Sequence, residues 1–313
     1  ALAAGGENAS GTSVTTTEEW TGAGAAVGAW STGGSLNTAR NGNSGAGIAT
    51  AALTFGGYLT DYLAITESYD GTSWTEVNDL NTARQLGAGD GTQTSALYFA
   101  GDRGPTGGGN SALTESWNGS NWTEVADLNQ VRRQTAGAGA SNTSALCFAG
   151  ESGPGAPGAQ NALTELWNGS NWTEVNDMNT ARRDLAGDGI QTSALAFGGA
   201  TGLTATELWN GTNWTEVNDL NTGRHNLSAA GDSNSAILAI GGALAPGPVT
   251  AVTEDWNGAS WAEVGDLNTA RSDFAGSGTT SSGLAAAGYD GSNKIATTEE
   301  WSSSSDVVKT LTD

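Results

Sequence analysis

One nineteen-residue phrase returns five times in this chain, and a phrase that recurs at near-constant spacing can be folded only as a repeat architecture. It reads TESYDGTSWTEVNDLNTAR up to Arg84, TESWNGSNWTEVADLNQVR up to Arg132, TELWNGSNWTEVNDMNTAR up to Arg182, TELWNGTNWTEVNDLNTGR up to Arg224 and TEDWNGASWAEVGDLNTAR up to Arg271. A degenerate copy, SLNTAR, ends at Arg40, ten residues after Trp30. The same ten-residue step links Trp74, Trp122, Trp172, Trp214 and Trp261 to their arginines, and the full period runs from 42 to 50 residues.

Each arginine is followed by a small-residue stretch such as QLGAGDG or RQTAGAG, and then by an apolar run ending in glycine, as in SALYFAG and SALAFGG. Four strand-length segments therefore fill each period. We call them a (after the Arg), b (the run ending in glycine), c (carrying Thr-Glu) and d (Trp-x-Glu-Val). Segment d alternates, with Trp122 and Glu124 on one face and Thr123 and Val125 on the other. Asp70-Gly71, Asn118-Gly119, Asn168-Gly169, Asn210-Gly211 and Asn257-Gly258 separate c from d, residue types that accept positive φ and predict a tight antiparallel hairpin.

Four antiparallel strands per period is the unit of a β-propeller blade. The residues resemble the kelch repeat, in which an apolar strand ends in paired glycines, an aromatic follows, a Trp comes about six residues later and an Arg closes the unit. The pairs Gly56-Gly57, Gly198-Gly199 and Gly241-Gly242 match, as do Tyr69, Trp117, Trp167, Trp209 and Trp256. Ala100-Gly101, Ala149-Gly150 and Ala287-Gly288 depart by one glycine. Segments b and c each occur seven times, counting ALAAGG at Ala1 and VTTTEEW at Trp20, whereas a occurs six times. The expectation is a single all-β domain over 1–313, a seven-bladed kelch-like propeller. Its first blade is entered at the second strand, with the missing inner strand upstream or supplied by the terminal DVVKTLTD.

Composition fits a ring better than a layered enzyme. Only 47 of the 313 residues are Leu, Ile, Val or Phe, a content that with a net charge of -22 falls where disordered chains sit. Twelve tryptophans can compensate, each removing roughly 150–250 Å² from water. Gly, Ala and Ser suit crowded inner strands, and the aromatic residues belong farther out between blades. The acidity repels nucleic acid and anionic lipid, and no apolar stretch is long enough to span a membrane as a helix.

The recurring Arg40, Arg84, Arg132, Arg182, Arg224 and Arg271, like Glu67, Glu115, Glu165, Glu207, Glu254 and Glu299, suggest a structural role, because an asymmetric ligand has no use for six identical contacts. A buried guanidinium must be paired, so each Arg is expected to meet a carboxylate or loop carbonyls where blades join. One histidine, His225, excludes the galactose-oxidase type of copper site, and SYDGTSW breaks the spacing of sialidase Asp-box turns. No catalytic residue, cofactor or metal is assigned. Calcium at the Gly-Asp-Gly segments 89–91 and 187–189 is the weaker alternative to plain turn chemistry, and Cys147 reads as core.

Length variation is concentrated between the glycine of b and the Glu of c, where the Glu follows the glycine by 8 to 15 positions. These b–c loops share one face with the d–a loops, and variable loops on a constant scaffold carry recognition. Within them Tyr58, Tyr62, Asp102, Arg103 and Glu151 are the candidate binding residues. The wording WNGSNWTEVNDMNTAR and TTTEEW is also similar to kelch-like virion surface or fibre proteins of marine bacteriophages. That resemblance implies a non-catalytic structural protein on the virion surface or outside the cell, present in multiple copies. It would bind a host surface glycan or another virion protein, without nucleic acid or membrane insertion. A secreted bacterial carbohydrate- or protein-binding propeller is the alternative, and a polysaccharide-acting enzyme the third reading.

Overall fold

The computed structural model describes residues 2–7, 13–19, 28–153 and 159–303. Six four-stranded antiparallel sheets, each in the order a-b-c-d, make the blades of a β-propeller. The inner strands are Ser44–Ile48, Ala88–Thr92, Ala136–Ser141, Ala186–Ile190, Ser228–Ser233 and Ala275–Thr279. Each lies against the inner strands of both neighbours, and the sixth against the first, so the ring is closed. We number the blades 1 to 6 in that order.

The expected count of seven is therefore wrong, and the reason is how the ring closes. Strand Ala29–Thr32 is the outer strand of blade 6, paired with Thr298–Ser302 in the register Trp301 opposite Trp30. That register matches Trp117 opposite Trp122 inside blade 2. Two c segments, TTTEEW near the N-terminus and TTEEW near Trp301, compete for one d strand, and the distal one has complete a and b strands behind it. The N-terminal pair Leu2–Glu7 and Ser13–Glu19 forms its own two-stranded sheet, separate from the six blade sheets. Inner strands set the number of blades, because only they meet around the axis, and there are six. The terminal DVVKTLTD lies outside the described residues.

Between blades the packing is aromatic on glycine. Trp122 meets Phe55 of the preceding blade edge-on at 4.9 Å, and Trp172 meets Phe99 at 5.0 Å. The phenylalanine reaches the next inner strand where that strand has no side chain: a Cβ at Gly89 would sit 2.5 Å from Phe55, and one at Gly187 2.5 Å from Phe148. The indole N–H of each strand-d Trp donates to a buried threonine hydroxyl of the preceding blade, Trp122 to Thr66 and Trp172 to Thr114 at 3.0 Å, and Trp30 to Thr253 at 3.1 Å. These bonds satisfy the one polar atom of a side chain otherwise buried for its apolar area.

The c–d turns are four-residue loops in which the Asn or Asp side chain caps the following amides. Asn118 Oδ1 accepts from Ser120 and Asn121 N–H, while Gly119 takes φ 90°. Where an alanine replaces the first of the paired glycines the backbone is unchanged, with φ 62° at Ala100 against 66° at Gly56.

At the loop face, where d–a and b–c connections emerge, the second residue after each repeated Arg also has positive φ, and these six form a belt. Leu86 N–H donates to Gly42 O (2.8 Å), Gln134 to Leu86 (2.7 Å), Asp184 to Gln134 (3.1 Å), Asn226 to Asp184 (2.8 Å), Asp273 to Asn226 (3.0 Å) and Gly42 to Asp273 (2.7 Å). Six blades are thus tied by an unbroken circle of backbone hydrogen bonds.

Candidate functional site

The repeated letters are consumed by one clasp. Every repeated Arg is fully buried and reaches the Glu on strand c of the blade that follows it: Arg182 Nη2 lies 3.1 Å from Glu207 Oε1, Arg224 2.9 Å from Glu254, Arg271 2.6 Å from Glu299 and Arg40 3.2 Å from Glu67, while Arg84 and Arg132 pair with Glu115 and Glu165. Burial pushes Arg182 and Arg224 below the usual guanidinium range, opposed by those carboxylates. The Asn three residues before each Arg completes the clasp, a role the sequence reading missed. Asn81 donates its backbone N–H and its side-chain amide to Glu115 Oε2, at 2.7 and 2.8 Å, and the same amide to Trp122 O at 3.1 Å. A d–a loop is in this way pinned to the next blade through Asn, Glu, Arg and Trp together, in all six blades.

What the repeats do not use is gathered at the loop face. Among the described residues, the cations outside the clasp are Arg103, Arg133, Arg183 and Lys294, and all lie in d–a or b–c loops. The residue directly after the repeated Arg bridges to the first residue after the strand-b glycine, as Gln85 does to Asp102 and Arg133 to Glu151. Non-equivalent side chains are therefore set on equivalent, hydrogen-bonded backbone.

An arc of alternating charge results. Tyr62 Oη donates to Asp102 Oδ2 at 3.4 Å, and Arg133 donates to Asp102 at 3.1 Å and to Glu151 at 3.0 Å. Arg183 pairs with the other oxygen of Glu151 and contacts Asp184 Oδ2 at 3.4 Å. Burial, with Asp102 beside it, raises the Tyr62 phenol. Burial and nearby Asp273 push Asp184 up to about 7, partly offset by Arg183. Asp273, also raised by burial, accepts from Ser272 and Asn226. In the arc Tyr62, Arg133, Arg183 and Asp184 are part-exposed, while Asp102 and Glu151 are buried beneath them and paired with the arginines, so the surface offers a ligand chiefly guanidinium N–H donors, suited to hydroxyl, amide or carboxylate oxygens.

Of the residues singled out from sequence, Tyr62, Asp102 and Glu151 join this arc, and Glu151 is buried within it. Tyr58 and Tyr62 meet edge to face with centroids 5.4 Å apart, and Lys294 Nζ lies 4.0 Å over the Tyr58 ring, so one face of that ring already has a partner. Arg103 packs along the short helix Gly104–Gly107, against Gly107 and Gly108, and outside the ion-pair chain. Segment 154–158 of the third b–c loop lies outside the described residues. Arg133, Arg183 and Asp184 were not anticipated. The signal was the doubled Arg-Arg at 132–133 and 182–183, where the repeat departs from its own pattern. The Gly-Asp-Gly segments read as turns are instead on inner strands, so Asp90 and Asp188 face the axis. Among the described residues, no group of three or more His, Cys, Asp or Glu side chains is placed to hold a metal ion.

No protein-family model matches the chain, and no curated protein matches it in sequence.

Proposed function

We propose that this is a non-catalytic binding propeller that works from its loop face. One observation carries the reading: the repeated residues are spent on holding the ring, and every described cation outside the clasp, with Asp102, Glu151, Asp184 and Tyr62, lies where the blades differ. The kelch-like wording of the repeats and their likeness to phage virion proteins support a virion-surface or fibre role, with a host glycan or another virion protein as partner. The part-exposed guanidinium groups of Arg133 and Arg183, with Tyr62 and Asp184, suit sugar hydroxyls. Affinity per site is weak, and copies on a particle raise it by avidity.

The test is attachment to host cells and to an immobilised glycan panel. Removing 106–109, which protrudes on blade 2, should leave the melting curve intact and reduce attachment. Unchanged attachment, with loss on altering the opposite turns at Asn118-Gly119 and Asn168-Gly169, would put the working surface on the other face. Mass spectrometry of purified particles separates a virion component from a secreted bacterial propeller using the same face.

A further inference from the structure

At the other end of the molecule the inner strands surround an axial cavity of about 560 Å³, running from just below the belt to the a–b hairpins. The sixth residue after each repeated Arg reads Ala46, Asp90, Ala138, Asp188, Ala230, Ser277; of these Ala46, Asp90, Asp188 and Ser277 line the cavity, and Asp232, nearer the mouth, adds a third carboxylate to a lining otherwise dominated by Gly, Ala, Ser and Thr. Asp90 is 8% exposed, and its Oδ2 has no hydrogen-bond partner among the described residues. Asp188 Oδ1 accepts from the neighbouring Gly189 N–H at 2.7 Å, and the Gly231 N–H also favours its charged form, as the Gly139 N–H does for Asp90. Among the described residues no Lys, Arg or His lines the cavity, so neither carboxylate has a cationic partner there.

Two residues nearer the mouth the wall changes character. Ile48 and Ile190, 51% and 36% exposed, are two of the three large apolar side chains exposed among the described residues. They stand at that level in blades 1 and 4, on opposite sides of the rim. Ile48 and Ile190 share that level with Thr92, Ala140, Asp232 and Thr279, so two apolar side chains stand at an otherwise polar, acidic mouth above Asp90 and Asp188, an arrangement complementary to a ligand with a cationic head and an aliphatic body.

We infer that the axial cavity binds a primary alkylammonium group, its NH₃⁺ held by Asp90 and Asp188 and its methylene chain between Ile48 and Ile190. The depth fits, since two strand residues span about 7 Å and a four- to six-carbon chain covers that reach. Three N–H donors match carboxylate acceptors, whereas Ca²⁺ needs six to eight oxygens and no metal-holding cluster is present among the described residues. Burial, with Asp188 nearby, raises Asp90 well above the usual carboxylate range, and burial raises Asp188 to about 7. The groups facing the two carboxylates are Asp232 and the N–H groups of Gly139, Gly189 and Gly231, with no cationic side chain among the described residues. Protons therefore compete with the amine below neutral pH, and binding strengthens as pH rises through 7.

The whole chain is titrated calorimetrically with n-hexylammonium chloride at pH 8 and pH 5.5, with n-hexanol and calcium chloride as comparators. Saturable 1:1 binding of the amine, none of the alcohol, and about tenfold weaker binding at pH 5.5 are expected. Asp188→Asn and Asp90→Ala should each weaken it by about tenfold or more. Alanine already occupies the Asp90 position in three blades, and an unchanged melting curve shows that the ring is intact. A Gly-Lys-Gly peptide that binds more tightly than hexylammonium would identify a lysine side chain as the natural head group, and weaker binding a free amine. Amine affinity indifferent to both substitutions, or calcium displacing the amine through the same residues, overturns the inference. So does an absence of saturable binding below about 10 mM. None of these results depends on the loop-face reading.

Discussion

Replacing Arg182 by Ala removes one clasp of six. The guanidinium is fully buried, with Nη2 3.1 Å from Glu207 Oε1 and Nη1 donating to Ala205 O at 2.7 Å. Its loss leaves Glu207 buried but not abandoned: Asn179 donates twice to Oε2, at 2.7 and 2.9 Å, and Thr180 N–H donates to Oε1 at 3.2 Å. Breaking a buried pair from one side costs about 3–5 kcal/mol, and three surviving donors place this case at the lower end, about 3 kcal/mol. With an unfolding entropy of about 2.1 cal/mol/K per residue, that is a fall of about 5 °C in Tm for a ring of this size. Urea unfolding and calorimetry of Arg182→Ala, Glu207→Gln and the double variant provide the cycle. The double variant should recover at least about 1 kcal/mol relative to the sum of the singles, because no buried charge then remains unpaired. A loss below about 0.5 kcal/mol in Arg182→Ala, or strict additivity in the cycle, would show that the arginine is solvated and that the clasp does not hold the ring.

Closure of blade 6 predicts a sharp boundary in truncations. Removing 1–27 should move Tm little, whereas removing 1–32 also deletes the outer strand and Trp30, a gross loss of about 4–6 kcal/mol at ~25 cal/mol per Å², read by thermal melting. Gly187→Ala places a methyl 2.5 Å from Phe148 and 2.7 Å from Leu195 O, and should cost about 1–3 kcal/mol in urea unfolding. Asp184 and Asp188 are raised to about 7, so the folded chain binds more protons than the unfolded chain between about pH 4 and 7. Their contribution to stability is complete below the unfolded carboxylate pKa and is lost as pH rises through 7. Tm should therefore fall from pH 5 to pH 8, and Asp188→Asn should flatten that slope; an unchanged slope would mean that the carboxylate titrates normally.

Local chemistry made much of this protein readable in one dimension. The four segments, their antiparallel order and the Asn-Gly turns follow from alternation and backbone preference, which act within a few residues. So does the placing of small residues on the inner strands, since crowding at an axis leaves no other choice. The number of blades did not follow, because two c segments of nearly the same wording compete for Ala29–Thr32, and only a closed circle of inner strands shows which one wins. The clasp was half legible: Arg and Glu announced themselves by repetition, but the Asn that binds the same carboxylate has no partner within its own repeat, and its role appears only when the next blade is in place. The arc from Tyr62 to Asp184 and the pairing of Asp90 with Asp188 joins residues from different blades. Each is an ordinary side chain in its own repeat, and its environment is made by the ring, where distance around the axis replaces distance along the chain.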